Sequence, residues 1–413
     1  MWFYSERILV AYQVSDAAAH DRPRGNLSDL YPRWLGAREL LLYHHDPYSG
    51  EVTREIQEGY YGRALDPARP NDPKDQQGFA YPVYVVFLLA PTITIPFATL
   101  QAGFHWLLPV LIAITVLLWL RVLQWRAPPS VVLALILLTL GSFPAVQGIE
   151  LQQLSIVVSA MTAGCAALLV RGHLAWAGVL LALATIKPQL VWLLAAWLVV
   201  WALSDWRKRQ RFLWAFGFTL GLLFLEGELV LPGWIWRFRE AAASYRNYTG
   251  GVSLLEMLTT TWVGRVLDVL IVLALARVCW RWRHEPANSR AFAFSLALVL
   301  AVTIAVIPMV APYNQLLLLP AVILLARLGR QLWAQSRLTR VVAVISAIFV
   351  GWSWLASAIM CAASVIVPAA VLQKAWAVPL YSSLGVPICV LGLLALCVNQ
   401  WPGGAGQRPE VEA

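Results

Sequence analysis

The sequence has little charge. Only 13% of its 413 residues are Asp, Glu, Lys or Arg, against 60% apolar. Soluble domains carry about a quarter charged residues, so a soluble fold is excluded. Further absences narrow the chemistry. There is no Asp-x-Asp pair and no His/Asp/Glu cluster; Asp72 and Asp75 are separated by Pro73 and Lys74. No metal and no cofactor are therefore implied. No glycine-rich phosphate loop occurs. The five cysteines (Cys165, Cys279, Cys361, Cys389, Cys397) fit neither zinc nor redox spacing and read as small core residues. No cleavable signal peptide is visible, which is normal for a protein inserted through its own helices.

What is present is apolar chain. Blocks at 81–100, 104–120, 131–147, 151–170, 174–204, 212–231, 264–280, 291–310, 313–326, 341–360 and 379–398 approach bilayer-spanning length. They predict an all-α, polytopic integral membrane bundle of ten to twelve helices. Three regions follow: an N-terminal segment with a long polar loop (1–79), the bundle (80–400), and a disordered cytoplasmic tail (401–413). The 21 tryptophans suit membrane interfaces. Ile8–Val14 is an apolar run too short to span. It reads as the remnant of a first helix whose start lies upstream, or as a short interfacial helix.

Charge is unevenly placed. Residues 1–79 hold 12 acidic and 9 basic side chains, and the remainder holds 10 and 22. The basic surplus clusters at Arg121/Arg126, Arg207–Arg211, Arg277–Arg283 and Arg327–Arg340, which the positive-inside rule places in the cytoplasm. These clusters are too short, and too regularly interrupted by spans, for nucleic acid. One parity problem arises: if 81–100 and 104–120 both cross, residues 1–79 come out inside. Either Pro82, Pro91 and Pro96 make 81–100 re-entrant, or Arg121 and Arg126 snorkel at the outer face.

Two features suggest chemistry. Lys187-Pro188-Gln189 interrupts an apolar run, and a lysine at bilayer depth costs about 2.5–3.5 kcal/mol on insertion scales. It should lie at a break between two short helices, facing a polar pocket open to the outside. The other feature is the polar loop, residues 15–80. Ser28-Asp29 reads as a helix start, with Leu30, Trp34, Leu35, Leu41 and Leu42 forming an apolar face. The helix should end near His44, before a turn at Asp46-Pro47-Tyr48. Asp29 is either a helix cap or a carboxylate placed at the membrane surface.

The ordered motifs Ser28-Asp29, Asp46-Pro47-Tyr48, Phe79-Ala80-Tyr81-Pro82, Leu151-Gln152-Gln153-Leu154-Ser155, Lys187-Pro188 and Ala311-Pro312-Tyr313 together resemble those of glycosyltransferase family 87. The resemblance runs over about residues 26–330. It implies a GT-C membrane enzyme of the cell envelope, a hexosyltransferase and often a mannosyltransferase, with its active site extracytoplasmic. The implied partners are a polyprenyl phosphate sugar donor, a glycan or glycolipid acceptor, and membrane lipid. By that resemblance Asp29 is the general base of an inverting transfer, and Lys187 binds the donor phosphate. Gln152, Gln153, His44, His45 and Tyr313 are candidate substrate contacts.

Glu226 and Glu228 lie near the outer end of an apolar helix, where carboxylates invite a functional reading, and a pairing with Arg237 or Arg239 explains them equally well. Residues 233–248 read as an interfacial amphipathic helix. A transporter or flippase for a lipid-linked glycan is the other reading, since broken helices and buried charge mark transporters too. Such proteins often have two halves of matching hydropathy, and none is evident here.

Overall fold

Proline and paired polar groups, more than hydropathy, decide where the apolar blocks become helices. The computed structural model of the chain describes residues 1–25 and 28–398, apart from the side chains of Tyr248 and Thr249. The expected tail, 401–413, lies outside the described residues. Among the described residues all regular structure is helical, as expected of an all-α polytopic membrane protein.

Fewer helices have full spanning length than the block count suggests. Among the described residues four are long and apolar enough to span: Phe97–Val122, Trp206–Val230, Arg337–Ala363 and Ala369–Cys397. Pro129–Leu140 and Phe143–Glu150, bent by 56° at their junction, make a fifth if taken together. Leu154–Val170, Leu174–Ala184, Pro188–Leu203 and Arg290–Val306 are shorter. The block at 81–100 forms no helix of spanning length. It breaks into Val85–Leu89 and a 3-10 turn, Ala90–Thr92, and Pro96 then caps the helix that begins at Phe97. Proline removes the hydrogen bond that would have joined the pieces. Between the polar loop and Arg121 that leaves one helix long and apolar enough to cross, Phe97–Val122, which is what the first of the two alternatives requires.

Side-chain bonds tie the basic clusters together at one end. Gln124 Nε2 donates to Asn288 O (2.6 Å) and Arg327 Nη1 to Leu123 O (2.5 Å). Arg209 is buried and donates to the carbonyls of Trp201 (2.6 Å), Arg283 (2.8 Å), His284 (3.2 Å) and Glu285 (2.9 Å). Its planar fork suits this multiple bonding as an ammonium would not. At the opposite end, Asp29, the Gln152-Gln153 corner and Lys187 meet. Exposed tryptophans sit at both ends, Trp176, Trp206, Trp280 and Trp333 at the basic end and Trp106, Trp236 and Trp262 at the other, the pattern of two membrane interfaces.

Height distinguishes inner from outer helices. The Leu154, Pro188 and Arg290 helices have 17, 16 and 17 residues, or about 25 Å at 1.5 Å per residue, several ångströms short of a ~30 Å hydrocarbon core. The Arg290 helix is buried from Ala291 to Ala305. Around them the Phe97, Trp206 and Arg337 helices have 26, 25 and 27 residues. At the end away from the arginines the Leu154 and Pro188 helices begin at Gln153 and Lys187, which are their N-caps. Close helix approach supports this packing. A Cβ on Gly178 would stand 2.5 Å from Phe212 O and 2.8 Å from Phe216 N, so only glycine lets the Leu174 and Trp206 helices cross there.

Three other expectations are corrected. The helix in the polar loop is Tyr31–Tyr43; its N-cap is Leu30 and no side chain caps it, so Ser28 and Asp29 do not start it. Of its proposed apolar face, Leu30, Trp34 and Leu35 are buried but Leu42 is exposed. The N-terminal chain is one helical run, Trp2–Tyr4, Ser5–Val10 and Ala11–Ala19. Its Tyr4, Ile8 and Leu9 pack with Phe143 and Met360, so the helix reaches well beyond the Ile8–Val14 run and one side of it is buried. Cys165, Cys279 and Cys397 are buried, whereas Cys361 is exposed and Cys389 half-buried.

Candidate active site

Lys187 stands at the break that its position in the apolar run implies. The Leu174–Ala184 helix ends, and Pro188 opens the next helix at a position where its missing N–H removes no bond. Tyr84 Oη fixes the corner by donating to Thr185 O (2.9 Å). Lys187 does not face open water, as expected, but is buried, 4% exposed. Its Nζ donates to Gln153 Oε1 (2.7 Å) and lies 5.6 Å from the ring centre of Tyr81 and 5.3 Å from that of Tyr313. Two aromatic faces and one amide oxygen thus take the place of water around the ammonium.

Gln153 then joins the lysine to Asp29. Its amide nitrogen donates to Asp29 Oδ2. Only one amide orientation serves both partners, since an ammonium needs an acceptor and a carboxylate a donor. The Asp29 backbone is held as well: its N–H donates to Leu151 O (3.0 Å), and its carbonyl accepts from Arg33 Nη1 (2.8 Å). Among the described residues no hydrogen bond reaches Oδ1, which remains available to an incoming hydroxyl. Burial raises the Asp29 carboxyl above the usual carboxylate range, against the opposing pull of Arg33 and Lys187.

A cavity of about 440 Å³ is lined by Asp46, Tyr48, Phe79, Arg237, Glu240 and Tyr245; Asp29, Gln153 and Lys187 are not among its walls. Tyr48 Oη donates to Tyr81 O (2.6 Å), and Tyr245 lies within electrostatic range of Asp29, Arg33 and Tyr81. Asp46 and Arg237 close its rim as an ion pair at 2.5 Å. A mixed polar and aromatic wall of this kind can hold a small polar ligand.

A family model for glycosyltransferase family 87 matches residues 79–312, more than half of the chain. The chain belongs to glycosyltransferase family 87. The match takes in Tyr81, Gln153 and Lys187 and ends beside Tyr313, while Asp29 and Arg33 precede it. No curated protein and no solved structure gives a significant match.

In this family 87 glycosyltransferase the other candidate residues fall away from the centre. Gln152 has a left-handed backbone (φ 45°), and its Oε1 accepts from Gln101 (3.2 Å), tying the corner to the Phe97 helix. Glu150 accepts from Ser5 Oγ. His44 ends the Tyr31 helix in the left-handed region and His45 pairs with Glu39 at 3.0 Å, about 20 Å of helix away from Asp29. Replacing both histidines with alanine should leave the transfer rate within about twofold, as surface changes away from a site do; a steady-state assay checks this. Glu228 accepts from the Gly233 N–H (2.8 Å), Arg237 pairs with Asp46, and Arg239 lies over Trp236. The expected pairing of these glutamates with those arginines is therefore not what the helix Trp234–Thr249 makes. Asp72 is gripped by Arg63 at 2.8 and 2.5 Å, which holds its carboxyl down to about 2, and Asp75 binds Gln77. Among the described residues no three His, Cys, Asp or Glu side chains gather as a metal set.

Sequence reasoning assigned no role to Arg33 or Tyr81. Arg33 is 7% exposed, with its guanidinium 4.7 Å from the Tyr81 ring centre. A signal was present: Leu30, Arg33, Trp34 and Ala37 follow the i, i+3, i+4, i+7 spacing of a buried face, so the arginine stands in an apolar stripe.

Proposed function

We propose that this glycosyltransferase moves a hexose, mannose by family resemblance, from a polyprenyl phosphate donor to a hydroxyl of a glycan or glycolipid acceptor, with inversion, on the extracytoplasmic side of the cell membrane. The observation that carries the reading is the hydrogen-bonded chain Lys187–Gln153–Asp29 at the end opposite the basic clusters. The positive-inside rule makes that end the outer one. Asp29 Oδ1 takes the proton of the acceptor hydroxyl as its oxygen attacks the anomeric carbon. Lys187 and Arg33 stabilise the charge that grows on the departing lipid phosphate. Gln153 fixes the two groups relative to each other, the kind of positioning that makes a bimolecular attack effectively unimolecular.

The test is transfer by the purified protein in lipid nanodiscs, given polyprenyl phosphates bearing different labelled sugars and a membrane-extract acceptor. Transfer from one donor, with the product anomer opposite to the donor anomer, is the expected result. Folded protein that transfers from none of them, or that retains configuration, overturns the proposal. In the first case a vesicle flipping assay for lipid-linked glycan comes next.

A further inference from the structure

A second cavity lies at the basic end, far from Asp29 and unused by the reaction. Its volume is about 670 Å³, and Leu117, Trp125, Val132 and Val170 line it together with Arg121, Arg126 and Arg171. Local structure puts the three arginines there. The Phe97 helix closes with Trp125 N–H on Leu120 O (2.9 Å), with Gln124 left-handed at φ 54°. The Leu154 helix closes in the same way, with His173 N–H on Leu168 O (2.9 Å) and Gly172 at φ 79°. Both endings have the Schellman hydrogen bond, and they deliver Arg121 and Arg171 to the cavity, while Arg126 comes from the turn that follows Trp125.

Among the described residues none of these arginines has a carboxylate within ion-pair distance. Three cations share one concavity, with an apolar wall on the bundle side and an indole at its edge. Helix carbonyl ends favour nearby cations, but that accounts for a charge at each terminus and not for a shared cavity. Basic pockets between membrane helices on the cytoplasmic side bind anionic headgroups. We propose that this cavity binds the phosphodiester headgroup of an anionic membrane lipid, its acyl chains lying along Leu117 and Val132 and its phosphate held by Arg121, Arg126 and Arg171. A lipid is favoured over a soluble phosphate because the apolar lining and Trp125 have no use for a small ion, and because this end of both helices stands at a membrane interface.

The experiment is native mass spectrometry of the full chain released from detergent micelles doped with phosphatidylglycerol or with phosphatidylcholine of the same acyl chains, and separately with inorganic phosphate. Wild type should retain phosphatidylglycerol in preference to phosphatidylcholine. Each arginine-to-glutamine change should weaken retention about fivefold, the worth of one interfacial arginine, and millimolar phosphate should not displace the lipid. Arg207→Gln with Arg277→Gln, basic but outside the cavity, should retain it as wild type does. Equal retention of the two lipids, displacement by inorganic phosphate, or full retention by Arg121→Gln/Arg126→Gln/Arg171→Gln would each overturn the proposal. Should the triple variant fail to fold, Arg171→Gln alone decides: its side chain is exposed and bonds to nothing among the described residues, so unchanged retention counts against the proposal.

Discussion

Asp29→Asn should lower transfer by about 10²–10⁴-fold, the range that a positioned general base supplies. The amide keeps the size of the carboxylate but cannot accept the acceptor's proton. Expression and thermal unfolding in detergent should stay close to wild type, because Asp29 caps no helix and its backbone bonds to Leu151 and Arg33 need no side chain. The wild-type pH profile gives an independent check. The reaction needs the ionised carboxylate, so activity is lost as pH falls through the folded-state pKa. Burial raises that pKa, and the acid limb should therefore lie above the ~3.9 of an ordinary aspartate and follow a single proton. Retained transfer in Asp29→Asn, or a wild-type acid limb at the ordinary value, would take Asp29 out of the role of base.

Lys187→Met should act through a different parameter. Removing the cation that meets the departing phosphate should lower kcat by about 10²–10³-fold, the usual loss for one group that stabilises developing charge, and raise KM for the lipid donor. Stability should move the other way or not at all. The ammonium is buried against two rings and one amide, and an apolar side chain of similar length escapes its desolvation cost. Lys187→Arg should not restore activity, because a planar fork does not fit the space of a compact ammonium between Tyr81 and Tyr313. Lower activity in a protein of equal or higher melting temperature separates this role from a structural one. An unchanged donor KM and kcat would remove Lys187 from phosphate binding.

The residues legible from sequence were those whose local setting is costly. Lys187 in an apolar run next to proline could be read as a break with a purpose, because nothing else offsets a lysine there. The all-helical membrane fold followed from composition in the same way. What could not be read was which partner each polar group finds. Gln152 and Gln153 are adjacent and chemically identical, yet the left-handed turn at Gln152 sends one towards Gln101 and the other between Asp29 and Lys187. Residue spacing carries no trace of that choice. Helix lengths were hidden for a related reason. Hydropathy treats every long apolar block alike, whereas the Leu154, Pro188 and Arg290 helices stop at 16 or 17 residues and proline divides the block at 81–100. Arg33 was hidden by its type, since arginines on an amphipathic helix are usually solvated.

The bond through Gln153 has a consequence for how the protein is assembled and lost. It joins positions 124 and 34 residues apart in sequence, and Tyr313 adds a wall from a fourth segment. Contacts of such separation carry a loop-closure entropy that individual helices do not, and they form only after those helices have packed. The site therefore depends on the packing of all these segments at once, and a shift of any one of them separates Asp29 from Lys187. Helical content and catalytic competence are separate properties of this protein: a bundle can keep nearly all its helix and hold no site at all.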